Sequence, residues 1–125
     1  MSGPHDTRRA IACTYADEAA EHIRRINHAT ISTTALTITD AYDIVGTLEE
    51  LAARLPQTMR QIAQSLQHRA LVEALVTDDG THANDRVDAA CTHLLLAEQV
   101  FRTAGLHLAA AHEAIARLAT TGAPA

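Results

Sequence analysis

Lysine and tryptophan are absent from this 125-residue chain, and its aromatic residues are confined to Tyr15, Tyr42 and Phe101. Without large rings a core has to be assembled from Ala, Leu, Ile and Val, which suits slim, closely spaced helices rather than a sheet sandwich. Glycine is scarce too: five residues, scattered singly, leave 6–45 and 47–79 without one. That excludes a glycine-rich phosphate loop and favours helix. All ten basic residues are arginines, which reads as the codon usage of a GC-rich genome, with avoidance of lysine modification as the alternative. Cys13 and Cys91 stand alone without CxxC or CxxH spacing, so neither a zinc site nor a redox motif is supported. They are expected as two reduced, small apolar residues of a cytoplasmic protein, with a bridge between them as the alternative. No apolar run approaches the length of a membrane span. The Arg8-Arg9 pair is followed too soon by Asp17, Glu18 and Glu21 to open an export signal.

Positive charge is also short. The net charge is −5, distributed as 0 over 1–29, −3 over 30–55, +1 over 56–77 and −3 over 78–125. No segment carries the basic footprint of a phosphate-backbone binder, which argues against nucleic-acid and anionic-membrane binding by the isolated chain.

What the sequence has is apolar periodicity. Val87, Leu94, Phe101, Leu108 and Ile115 recur every seventh residue, each followed three places later by Ala90, Ala97, Ala104, Ala111 and finally Leu118. Such a repeat marks a long helix packed lengthwise against others. Its alanines predict a close seam, towards the short end of the roughly 8–10 Å interaxial range. On that reading Ala104→Leu overpacks the seam. The helix should run from Asn84 or Asp85 to about Ala119, some 35 residues or about 52 Å. Gly105 lies mid-helix beside the seam, where glycine costs about 1 kcal/mol relative to alanine and implies a close backbone contact.

Two further helices precede it. The first is expected from Thr7 to Ala29, capped by Asp6 or Thr7, with Glu21 and Arg25 one turn apart on its outer face. The second begins at the Thr39-Asp40 cap, and Ala41, Val45, Leu48, Ala52, Leu55, Met59, Ile62 and Leu66 alternate by four and three without a break. Pro56 falls inside this series and predicts a kink between 40–55 and 56–76 without loss of direction. The β-branched run Thr30–Thr39 between the first two helices has no partner strand and is expected as a connector or frayed helix entry. Asp78-Asp79-Gly80 predicts a turn. Residues 1–6 and 120–125 are expected to be flexible, with 7–119 forming one helical-bundle domain.

Chemistry-bearing patterns are missing. The eight histidines include no Glu-x-x-His, His-x-x-x-His or His-Glu-x-x-His spacing, and His93 and His107, on one stripe, are about 21 Å apart along the axis. No metal or cofactor is implied. Cys91 and His93 point to different sides of their helix, and neither Ser32 nor Ser65 sits in a nucleophile-elbow setting. Enzymatic activity is not expected.

The stretch Thr39-Asp-Ala-Tyr-Asp-Ile-Val-Gly-Thr-Leu48, followed by Leu55-Pro-Gln-Thr-Met-Arg-Gln-Ile62, resembles small all-helical proteins of actinobacteria, some of them companions of mobile elements such as integrative plasmids and phages. The likeness spans about residues 39–118 and is strongest around Leu55-Pro56-Gln57. It implies a helical fold and a GC-rich source, and it transfers no functional residue because no activity is established for those proteins.

The sequence therefore predicts an all-α antiparallel bundle of three to four helices. Its long C-terminal helix packs on a Pro-kinked partner, and the N-terminal helix covers the groove. The surplus of apolar residues off the seam predicts a non-enzymatic interaction module, a homodimer or a receptor for a partner helix, with Leu95, Leu96, Ala104, Gly105 and Leu106 as contact residues. The alternative is a small regulatory protein of a mobile element, acting on nucleic acid through Arg54, Arg60 and Arg69 or through a partner. A third reading is an apolar-ligand sensor with a pocket near Met59, opened at Pro56.

Overall fold

The computed structural model describes residues 9–118, and they form three α-helices and no strand. The helices are α1 (Ile11–Ala29), α2 (Ile38–Val72) and α3 (Ala83–Ala116). The chain divides into two compact units, residues 1–37 with α1 and residues 38–125 with α2 and α3. The expected flexible ends, the Asp6/Thr7 cap and the Ala119 helix end lie outside the described residues.

In the first unit α1 starts at Ile11 behind Ala10, whose side chain makes no cap hydrogen bond. Its outer face is ordered by acid-before-base pairs, and Glu21 holds Arg24 at 2.6 Å and Arg25 at 3.4 Å. The expected i,i+4 pair is therefore present, but the i,i+3 neighbour makes the shorter contact. Thr30 closes the helix by donating its amide and its hydroxyl to the Ile26 carbonyl, at 3.0 and 2.8 Å. The following β-branched run is a connector: Ser32 accepts from Thr34 and Ala35 as the chain turns towards α2.

In the second unit α2 and α3 pack along their lengths as an antiparallel hairpin. α2 continues as one α-helix through Pro56, and the proline is buried. The missing amide, about 3 kcal/mol in a helix interior, is thus set against packing of the ring in the seam. α2 ends at Val72, four residues short of the expected Val76. The connection is then built on Asp79. Its carboxylate accepts from the Thr81 amide and hydroxyl at 3.1 and 2.7 Å and pairs with Arg86 of the first turn of α3, while Gly80 supplies the positive φ that the turn requires. α3 begins behind His82, not Asn84 or Asp85, and Asp85 instead lies in the first turn, favourably placed for the helix dipole.

These donors, Thr81 first and Arg86 after it, hold the Asp79 carboxyl down to about 2 from its ordinary 3.8. A depressed folded-state pKa stabilises fully above the ordinary value and loses that effect as pH falls through the depressed one. Urea titrations of the wild type and Asp79→Asn should therefore differ at pH 5 and converge as pH falls from 3.8 towards 2. A gap that persists unchanged at pH 2 would count against the Asp79-centred turn.

Candidate interaction surface

The hairpin seam is made of small and polar groups. Ala52 and Ala63 of α2 and Cys91 of α3 are its buried non-prolyl apolar residues, at 4, 4 and 6% exposure, and no large side chain among the described residues is fully enclosed. The Cys91 thiol donates to the Ala63 carbonyl at 3.5 Å, and both cysteines are free. A Cβ placed on Gly105 would meet the Ala52 Cβ at 3.8 Å, an ordinary contact. The glycine thus faces the partner helix as expected, but the space accepts a methyl group. Gly105→Ala should stabilise the protein by about 0.5–1 kcal/mol, because it removes the helix-interior cost of glycine without a clash. A lower urea midpoint for that variant would show the helices to be closer there than their backbones indicate.

Between these points lies a buried carboxylate. Glu98 is 6% exposed, and its Oε2 accepts from Arg60 of α2 at 2.6 Å and from Arg102, one turn along α3, at 2.7 Å. The two guanidinium groups, Arg60 first, hold the Glu98 carboxyl below its ordinary 4.5. This cluster joins α2 to α3 by charge-assisted hydrogen bonds. Further along, the His112 ring stacks on Tyr42 with centroids 4.0 Å apart and puts Nδ1 3.8 Å from Glu49. The ring occupies the space left by Gly46, where a Cβ would lie 2.9 Å from Nε2.

The most buried line of α3 is therefore Cys91 and Glu98, continued by half-buried Gly105 and His112 at the same seven-residue interval. The predicted alanine line, Ala90, Ala97 and Ala104, sits one position earlier and is only half-buried, and Ala111 is exposed. Successive helical residues are about 100° apart, so the alanines lie beside the seam rather than at its centre. On α2 the predicted positions from Ala41 to Leu66 are buried or half-buried except Ile62, which is 43% exposed while its neighbour Ala63 is buried. No periodicity reading could have found Glu98, since a carboxylate is counted as surface.

Of the contact residues expected from the sequence, Leu95, Leu96 and Leu106 are exposed, while Ala104 and Gly105 are half-buried. Leu106 also borders an open groove of about 380 Å³ with Ala53, Pro56, Phe101, Arg102 and Ala109. The three arginines of the nucleic-acid alternative do not form a free patch: Arg54 is 3.9 Å from Glu50, Arg60 is held by Glu98, and Arg69 is 3.0 Å from Glu73. No described helix is long and apolar enough to cross a membrane.

No protein-family model, curated protein or solved structure matches the chain.

Proposed function

We propose that this protein is a non-enzymatic helical interaction module of the cytoplasm that works as a homodimer. One observation carries the reading: among the described residues the hairpin buries only two alanines, a proline, a cysteine and a glutamate, its larger apolar seam residues are no more than half-buried, and Leu51, Ile62, Leu95, Leu96, Val100 and Leu106 are exposed. Fixing each residue costs roughly 1–2 kcal/mol of backbone entropy, and alanine side chains return little of it on burial. A second copy supplies the missing apolar cover, its hairpin and the first together contributing four long helices. A bend of α2 at Pro56 then curves each hairpin around its partner. The nucleic-acid reading has less support, because Arg54, Arg60 and Arg69 each already face a carboxylate.

Light scattering on a sizing column, over a tenfold concentration range, tests the proposal. A mass twice that of the 13.4 kDa chain is expected throughout. A monomer at every concentration overturns it.

A further inference from the structure

We propose that the groove beside the Glu98 cluster binds an aliphatic monocarboxylate, its head on Arg60 and Arg102 and its chain along Pro56, Phe101 and Leu106. The site is complete within one hairpin and goes beyond the self-association proposed above. Its head is built from two guanidinium groups oriented by one buried anion. Each gives Nη2 to the Glu98 Oε2, at 2.6 and 2.7 Å, out of the several N–H donors an arginine carries. Both side chains are about half exposed, 47% and 49%, so the remaining donors are open to a ligand arriving from water. Two cations against one carboxylate leave the cluster net positive, in a chain whose overall charge is −5. Because Glu98 already holds both side chains, little of their rotamer freedom is left to lose when an anion binds.

The tail follows on the same face. Arg102 itself borders the groove. On α2 the bordering residues Glu49, Ala53 and Pro56 are spaced by four and three, and Arg60 lies four further along the same line. Both guanidinium groups therefore stand at one end. The floor is deep where Ala52 meets Gly105, a position without a side chain, and Pro56, Phe101 and Leu106 supply apolar walls. A volume of about 380 Å³ falls within the roughly 300–1,000 Å³ of small-molecule sites, which pair apolar walls with a few convergent polar groups. Glu49 closes the other end, about 16 Å from Arg60 along α2. Its carboxylate opposes a second acidic group there, so one anionic head on an apolar chain fits and a dicarboxylate does not.

Titration of the full, isotope-labelled chain with sodium decanoate, followed by amide NMR shifts, tests the site. Saturable shifts are expected around Ala53, Phe101 and Leu106. Octanoate, two methylenes shorter, should bind about fivefold more weakly. Decyltrimethylammonium, with the same chain and a cationic head, should bind at least about tenfold more weakly. Leu106→Glu puts a like charge on the groove wall at a position 73% exposed, and should weaken decanoate binding by about tenfold or more. Val100→Glu makes the same charge change at an exposed position about 200° round α3 from Arg102, and should leave the Kd within about twofold. Arg102→Gln keeps a donor for Glu98 but removes the excess charge, and should also weaken binding; if it loses helicity by circular dichroism, Leu106→Glu decides. No saturable shift with decanoate, equal affinity for the cationic amphiphile, or equal losses in Leu106→Glu and Val100→Glu each overturn the proposal, whatever mass light scattering gives.

Discussion

Ala52→Leu should lower the stability of the protein by about 1–3 kcal/mol, the ordinary cost of forcing extra methylenes into a filled contact. Ala52 is 4% exposed, and the opposing position on α3 is Gly105, with no side chain to move aside. The three added carbons crowd the Gly105 face of α3 and have space only towards the open groove that Ala52 and Gly105 line. Where they part the helices they also lengthen the contact between Arg60 and Glu98, two turns further along α2. The sequence pattern alone assigned this overpacking to Ala104, but Ala104 is half-buried beside the seam, with room on its open side. Urea denaturation at one fixed protein concentration measures the effect, since stability in a self-associating protein depends on concentration. An unchanged midpoint for Ala52→Leu would mean that the helices do not approach closely at Gly105, and the tight seam would have to be abandoned.

The long helices were legible because their signals are long. The four-three alternation from Ala41 to Leu66 and the heptads from Val87 to Ile115 each persist over many turns, and single exceptions do not erase them. Rotation about the helix axis was less legible. Alanine reads as seam when it recurs every seventh residue, yet the buried line one position on contains a cysteine, a glutamate, a glycine and a histidine, and no hydropathy pattern marks it. The single exception on α2 is of the same kind: Ile62 fits the alternation better than Ala63, but the alanine is the buried one, while Met59 and Leu66 keep the expected phase. Helix starts were hidden because Ala10 and His82 occupy the cap positions without side-chain caps, against the usual preference for Ser, Thr, Asp or Asn. Among the expected contact residues, exposure of Leu95, Leu96 and Leu106 agrees with an apolar surplus. The structure adds that Leu106 borders a groove with Arg102 and Glu49.

Glu98→Ala should lower the melting temperature further than removal of any exposed carboxylate. In the wild type two guanidinium groups converge on a single oxygen, Oε2, at 2.6 and 2.7 Å. Without it, two cations from different helices face each other across the seam with no anion between them. Both arginine side chains are about half exposed, 47% and 49%, so water screens part of that repulsion. Glu113→Ala is the matched control, because it breaks an i,i+4 pair with Arg117 at 2.9 Å that is exposed on both sides. Acid should narrow the difference between Glu98→Ala and the wild type. The Glu98 carboxyl is held below 4.5 in the folded protein, so its contribution is complete above that value and falls away as pH drops through the depressed one. A triple replacement, Glu98→Leu with Arg60→Met and Arg102→Met, should recover most of the lost stability, since an apolar set of similar volume removes the unpaired charges together. Recovery in the triple variant would assign the cluster to register rather than net stability. Equal melting temperatures for Glu98→Ala and Glu113→Ala would show that the clamp across the seam contributes no more than a surface ion pair.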